Sequence, residues 1–249
     1  MSVNTLSIVV PAHNEEKTIG GFVAALSLIM KRMLGNGFLQ DYEIIVLDDG
    51  STDKTSSILQ DISYEKTRVI FNAEASGIHR AFLRLYSEAC MKWILLVPGD
   101  AQWPAPEIER LVLYHFKTIP MIPTVTKRRV KSGYTLVRLI VSSSFGNFAK
   151  YFLKSLKQSD PGSIKILPRE VASLEYSCNS VLIEIERMMY CEEAFGELRQ
   201  LEVEIVPRVY GSSSTIKFKT LRPIFVDCFK MFVFYKLLCR RLAGSNEEN

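Results

Sequence analysis

Apolar strand segments alternate with helical segments through the first 116 residues, and this alternation restricts the fold more than any other feature. Four short, mainly apolar runs each stop at polar residues, and each is followed by apolar residues at helical spacing. Strands with few polar residues are typical of a parallel sheet covered by helices on both faces. The sequence therefore predicts an α/β fold with a mostly parallel central sheet. The predicted strands are residues 6–11, 42–49, 67–72 and 92–97, and the predicted helices are residues 15–33, 53–63, 77–90 and 106–116.

The second half of the chain has a less regular pattern. It predicts a helix over residues 134–156, a short strand within 160–170, a helix over 180–195 and an edge strand over 201–211. Residues 222–242 are aromatic and aliphatic, with charged side chains after Arg222 at Asp227, Lys230, Lys236, Arg240 and Arg241 that make insertion into a bilayer costly. Two interpretations of this last segment stay open, a helix at a membrane surface and a helix packed on the domain's own core.

Composition and charge restrict the compartment and the partners. The five cysteines are an odd number without a C-x-x-C pair, which argues against a disulfide framework or a zinc site and favours a reducing compartment. We expect neither a signal peptide nor a membrane span. Residues 110–159 hold ten basic residues and no acidic one. A solvated helix face explains such a stretch, but a surface that meets phosphate or anionic lipid explains it better.

Polar side chains follow three of the predicted strands. In parallel sheets, ligands bind at the carboxyl ends of the strands, where these side chains would converge. Helix capping explains Asn14, and a simple turn explains Asp100. The adjacent acids Asp48 and Asp49 are harder to explain, because buried carboxylates are costly unless they meet donors or a cation. The converging residues are His13, Asn14, Glu15, Asp48, Asp49, Asp100 and Gln102.

Four motifs carry a resemblance to a known family. The segments VVPAHNEE, IIVLDDGSTD, GIHRA and GDAQWP, in this order and at these separations, resemble the family 2 glycosyltransferases of GT-A fold. The likeness is greater to the dolichol-phosphate mannosyltransferase and polyprenyl-phosphate glycosyltransferase branch, and it covers most of the chain. Two weaker motifs, DPGSIKILPRE and EVEIVPRVYGSSS, resemble the acceptor-side turn and a later strand of that branch.

The resemblance implies a division of the chain and a reaction. A catalytic domain would cover residues 1–221, with a nucleotide-sugar-binding half (1–119) and an acceptor half (120–221), followed by an amphipathic helix and tail (222–249). The reaction would be an inverting transfer of a hexose from a donor of the GDP-mannose or UDP-glucose type to a polyprenyl or dolichyl phosphate. The enzyme would be cytoplasmic, peripheral at the inner face of the membrane, and without a nucleic-acid partner.

The resemblance also assigns residues to roles. Asp100 and Gln102 match the later two ligands of the family's metal motif, which implies Mg²⁺ or Mn²⁺, and Pro98 replaces the first carboxylate. The donor would contact Pro11, His13, Glu15, Asp48, Asp49, Gly77 and Asp100. The acceptor phosphate would contact Arg128, Arg129, Arg138, Ser142 and Ser213. The catalytic residues would be Asp100, Arg138 and Arg208.

Two other functions stay open at this point. A sugar-hydroxyl acceptor would need a general base, for which Glu184 and Glu186 are the candidates. A lipid phosphate is already an anionic nucleophile and needs basic residues instead of a base. The third possibility is a non-catalytic nucleotide-sugar-binding relative, which Pro98 favours and the retained pair Asp100 and Gln102 argues against.

Overall fold

Seven strands and six helices with described bounds lie in the described part of the chain, and residues 226–233 are also helical. The computed structural model describes residues 4–119, 121–129, 147, 151–152, 163–172, 174, 176, 178, 180, 182–206, 224 and 226–233. The strands are β1 (Thr5–Ala12), β2 (Asp41–Asp49), β3 (Thr67–Asn72), β4 (Trp93–Leu96), β5 (Thr124–Arg128), β6 (Lys165–Pro168) and β7 (Arg199–Val203). The helices are α1 (Ile19–Gly35), α2 (Thr55–Gln60), α3 (Ile78–Glu88), α4 (Ala105–Lys117), the one-turn α5 (Arg169–Ala172) and α6 (Ile183–Phe195).

All seven strands form one sheet in the order β3-β2-β1-β4-β6-β5-β7. Pairing is parallel except on the two sides of β6, which runs antiparallel to both β4 and β5. Six strands therefore end at one edge of the sheet, and β6 begins there. The predicted mostly parallel sheet is confirmed, and this edge gathers the polar residues at the end of β2 and just after β1 and β4.

Helices cover both faces of the sheet, as the sequence predicts. Along β1, Leu6, Ile8 and Val10 point to one face and pack in the core formed with α1, α2 and α4. Val9 points to the other face, in the core formed with α3 and α6. This alternation follows from the two-residue period of a strand. Within the described residues, no helix combines the length and apolar character needed to cross a bilayer.

Several boundaries differ from the predictions. The first helix begins at Ile19, four residues late, because residues 15–18 form a turn in which the Glu15 amide donates to the Thr55 hydroxyl at 2.8 Å. The pattern did not predict β5, and β7 ends at Val203. Most of the predicted helix 134–156 lies outside the described residues, and the division into catalytic halves and a tail stays a prediction.

Candidate active site

The Asp48 carboxylate is fully engaged by the turn that follows β2. Asp48 is 1% exposed, and its Oδ1 accepts the Ser51 amide at 3.1 Å and the Ser51 hydroxyl at 2.5 Å. Its Oδ2 accepts the Ser56 hydroxyl of α2. The buried charge is thus met by donors of its own loop. These bonds shape the loop beneath the proposed donor site, and contact between Asp48 and a nucleotide stays a prediction.

Asp49 ties the end of β2 to the start of α3. One carboxylate oxygen accepts Asn72 Nδ2 at 2.6 Å and both the amide and the hydroxyl of Ser76, at 2.9 and 2.7 Å. The other oxygen accepts the Gly77 amide at 3.0 Å. Burial alone would raise the pKa of Asp49, but these donors outweigh it and lower the pKa below its ordinary value. Asp49 is therefore a charged carboxylate, and Gly77 lies beside it as the cap of α3.

The residues after β1 bind the same loops. His13 Nδ1 lies 2.9 Å from the Asp49 carbonyl oxygen, and because a carbonyl only accepts, this nitrogen carries the ring proton. Asn14 has a φ of 56°, and its Oδ1 accepts the Thr52 amide at 2.7 Å. Glu15 is 9% exposed at the base of the loop. The Pro11 carbonyl accepts the Gly99 amide at 3.1 Å, which joins β1 to the loop after β4.

The loop after β4 presents Asp100 and Gln102 at the same edge. A Cβ on Gly99 would lie 2.8 Å from Ile19 Cδ1, so the absence of a side chain allows this loop to approach α1. Ala101 has a φ of 54°, and the Gln102 amide donates to Asp100 Oδ1 at 3.2 Å. The Gln102 carbonyl accepts the Val206 amide at 3.0 Å, so the segment after β7 packs against the loop. Asp100 is half-buried, between interior and solvent.

The protein ligands for a divalent ion at this edge are few. The described residues contain no group of three His, Cys, Asp or Glu side chains that could hold a metal alone. Asp100 and Gln102 offer one carboxylate and one amide oxygen. This set suits Mg²⁺, which proteins commonly bind through one or two carboxylates while substrate phosphates and water complete the shell. The residues present therefore fit an ion shared with a diphosphate.

The basic end of β5 lies at the same edge as Asp100. Lys127 pairs with Glu202 at 3.2 Å, and Arg129 is exposed, 3.8 Å from Glu204. Arg128 is the last residue of β5 and is half-buried. The predicted residues Arg138, Ser142, Arg208 and Ser213 lie outside the described residues.

Sequence reasoning missed a buried ionic group on the α3 and α6 face of the sheet. Lys165 Nζ, at the start of β6, donates to Glu184 Oε2 at 2.7 Å, and Arg187 Nη1 donates to Glu184 Oε1. Burial alone would raise the pKa of Glu184, but Lys165 and Arg187 lower it to about 2. Glu186 is 1% exposed, and its Oε2 accepts the Cys178 amide at 2.9 Å. The three-residue spacing of Glu184 and Arg187 was the available signal.

The family of the chain follows from the match of its sequence motifs. The model of Glycosyl transferase family 2 matches residues 7–172, which is more than half of the chain and includes the loops after β1, β2 and β4. The chain belongs to glycosyl transferase family 2. Family membership confirms the resemblance that the four motifs carry.

Among curated proteins, this family 2 chain is similar to undecaprenyl-phosphate 4-deoxy-4-formamido-L-arabinose transferases. It is 28% identical over 235 residues to that of Pectobacterium carotovorum subsp. carotovorum (strain PC1), covering 88% of this chain and 70% of that protein. It is 27% identical over 154 residues to that of Enterobacter sp. (strain 638), covering 58% of this chain and 45% of that protein. The chain thus matches less than half the length of the Enterobacter relative.

Solved structures of glucosyl-3-phosphoglycerate synthase from Mycobacterium tuberculosis share the fold. The complex with Mn²⁺, UDP and phosphoglyceric acid has a TM-score of 0.63 at 18% identity, covering 84% of this chain and 72% of that chain. The complex with Mg²⁺ and UDP has a TM-score of 0.58 at 18% identity, covering 84% and 73%. This similarity confirms the predicted GT-A fold for the family 2 chain.

Proposed function

We propose that the chain transfers a sugar from a nucleotide diphosphate donor to a polyprenyl phosphate. Membership of family 2 supports the glycosyl transfer. The names of the curated relatives support the polyprenyl phosphate, because those enzymes use undecaprenyl phosphate as acceptor. The family resemblance implies a hexose donor of the GDP-mannose or UDP-glucose type without deciding between donors, whereas the names of the relatives specify 4-deoxy-4-formamido-L-arabinose. A test of the donor therefore needs both kinds of nucleotide-linked sugar.

The choice of acceptor rests on one observation: the carboxylates of both candidate bases, Glu184 and Glu186, are already engaged by groups of the protein. Lys165 and Arg187 occupy both oxygens of Glu184 and lower its pKa to about 2, so this carboxylate is a very weak base at neutral pH. Glu186 is buried and accepts a backbone amide. A hydroxyl acceptor needs a base, whereas a phosphate monoester is already anionic. A phosphate monoester is therefore the better match to this site than a hydroxyl acceptor.

The donor would bind across the strand ends that Asp48 and Asp49 shape. When bound, a divalent ion neutralises the negative charge that develops on the departing diphosphate. Asp100 and Gln102 are the residues that would hold this ion, together with oxygens of the diphosphate. Asp49 and His13 stay in place through their hydrogen bonds, so the loops that receive the nucleotide are formed in advance.

The acceptor phosphate would approach from the basic end of β5. Arg128 ends the strand at the edge that also carries Asp100, and Arg129 follows it with an exposed side chain. Guanidinium groups bind phosphate through paired hydrogen bonds, and they would offset the repulsion between acceptor phosphate and donor diphosphate. Arg138, Ser142, Arg208 and Ser213 are proposed to complete this side of the site.

A peripheral position on the membrane would bring the enzyme to its lipid substrate. Residues 226–233 are helical, and Val226, Phe229 and Val233 are 50%, 72% and 44% exposed on one side. Met231 is buried on the other side and packs in the core. An exposed apolar helix face suits the interface of a bilayer. The described cysteines are free thiols, which favours the cytoplasmic face of that membrane.

The acceptor is tested by a product assay with the full chain. The protein is incubated with Mg²⁺ and, separately, GDP-mannose, UDP-glucose and a nucleotide-linked 4-deoxy-4-formamido-L-arabinose, each with undecaprenyl phosphate or with a sugar alcohol acceptor. We expect one donor to give a glycosyl phosphate lipid by mass spectrometry, and no product with the alcohol. Product with the alcohol alone would overturn the proposed acceptor. Donor binding without any product would favour the non-catalytic relative.

A further inference from the structure

Arg187 is a buried cation with unused hydrogen-bond donors. Its side chain is 0% exposed, and its Nη1 donates to Glu184. Its Nε and Nη2 are both buried without a hydrogen-bond partner. Buried donors on a charged group cost more when unpaired than neutral ones, so they call for an explanation.

The two unpaired nitrogens have the geometry of an anion fork. In the planar guanidinium group, the N–H bonds of Nε and Nη2 point to the same side and match two oxygens of one phosphate or carboxylate. Glu184 uses the other end of the group, through Nη1. Arg187 is therefore held from one end and offers its fork at the other.

Two tyrosines fix the position of this fork. The guanidinium carbon lies over the Tyr86 ring, 4.4 Å from its centre, and over the Tyr176 ring, 4.8 Å from its centre. Such cation–π contacts stabilise the charge without using its N–H bonds. The Tyr176 hydroxyl donates to the Val171 carbonyl, which anchors that ring. The fork is thus preorganised rather than mobile.

Two partly exposed side chains, Glu184 and His79, interact with the buried Arg187. His79, in the first turn of α3, interacts electrostatically with Glu184 and Arg187, and its Nδ1 is also buried without a partner. His79 as a whole is half-buried, and the Glu184 side chain is 13% exposed. Gly77, two residues before His79, donates to Asp49. The unpaired Arg187 atoms therefore lie between α6 and the Tyr86 side of α3, and His79 lies on the same helix toward the Asp49 loop.

We propose that Arg187, with His79 beside it, forms an oxyanion-binding subsite that takes a phosphate group through Arg187 Nε and Nη2. The subsite deepens the proposed function and rests on it for the source of the phosphate, because both proposed substrates carry one. The lipid phosphate and the donor diphosphate present the same chemistry to the fork.

The test is an NMR titration that observes the arginine Nε–H groups of the full chain. Arg187→Lys assigns the Arg187 signal, and it keeps the charge while removing the fork. The probes are inorganic phosphate, UDP, and undecaprenyl phosphate in detergent micelles, with empty micelles as the blank. We expect the Arg187 Nε–H signal to shift with phosphate, and Arg187→Lys to weaken phosphate binding at least about tenfold. Arg80→Lys, the same change at an exposed position of α3, is the matched control.

The outcomes distinguish the lipid phosphate from the donor diphosphate as the bound group, and each from the absence of a subsite. A saturating shift at lower concentration with the lipid supports the subsite and assigns it to the acceptor, and the same result with UDP assigns it to the donor. An Arg187 signal that no probe moves overturns the subsite, and if Arg187→Lys does not fold, triple-resonance spectra of the wild type assign the signal instead. Equal phosphate binding by Arg187→Lys and the wild type also overturns it. Phosphate binding without glycosyl transfer contradicts the proposed function alone.

Discussion

Gly50 shows how strongly one residue restricts the turn after β2. Its φ is 65°, and a Cβ there would lie 2.4 Å from both Ala75 N and Glu74 C. We expect Gly50→Ala to lower the free energy of unfolding by about 3 kcal/mol or more, because a strained backbone and a backbone clash combine. Gly37→Ala is the control, since Gly37 has a φ of 68° with open space around it, and should cost about 1–2 kcal/mol. Urea unfolding measures both variants, and an equal loss of unfolding free energy in Gly50→Ala and Gly37→Ala would contradict this explanation.

The sequence predicted where the polar residues converge, but not what they bind. Asp48 and Asp49 are the last two residues of β2, and strand periodicity suffices to place them at the edge. Their partners come from residues up to 28 positions away, such as Gly77 for Asp49. Sequence alone does not reveal that N–H and O–H groups of the protein satisfy both carboxylates. Those contacts depend on the path of the loops that follow β2 and β3.

At the scale of elements, Glu184 joins α6 to β6 through its ion pairs. Because its folded-state pKa of about 2 lies below the ordinary 4.5, the charged carboxylate stabilises the fold above pH 4.5, and this stability is lost as the pH falls toward 2. We expect Glu184→Gln to lower the free energy of unfolding by about 3 kcal/mol at pH 7. The difference from wild type should shrink between pH 4.5 and 2.

Urea unfolding across this pH range measures that difference. Glu193→Gln, at an exposed position of the same helix, is the control and should change stability by less than about 0.5 kcal/mol. A deficit in Glu184→Gln that stays constant from pH 7 to pH 2 would contradict the ionic role of Glu184.

The elements that sequence predicted best are those with a strong local period. β1, β2 and β4 are buried on both faces, and α3 and α4 have an apolar side at helical spacing. β5 was missed because a strand of five residues that follows a proline and ends in basic residues carries little local signal. The insertion of antiparallel β6 between β4 and β5 depends on contacts distant in sequence, which no local pattern encodes.

At the scale of the whole molecule, the exposed helix face at residues 226–233 is expected to bind membranes. Phe229 is 72% exposed there, and Tyr151 lies close by, its ring centre 5.6 Å from that of Phe232. We expect Phe229→Glu to lower binding to anionic vesicles about tenfold or more, because an apolar contact is lost and a like charge is added. Leu28→Glu is the control, since Leu28 is 69% exposed on α1, across the sheet. Equal loss in both variants in a sedimentation assay would contradict a specific face.

The central claim, transfer of a sugar to a polyprenyl phosphate at the edge that carries Asp100, has one most direct test. Labelled donor and undecaprenyl phosphate are incubated with wild-type protein and with Asp100→Asn, with Mg²⁺ or with EDTA, and the glycolipid is counted. We expect product only with wild type and Mg²⁺, with Asp100→Asn at least about a hundredfold slower and its melting temperature unchanged. Equal rates in Asp100→Asn, or in EDTA, would contradict the account.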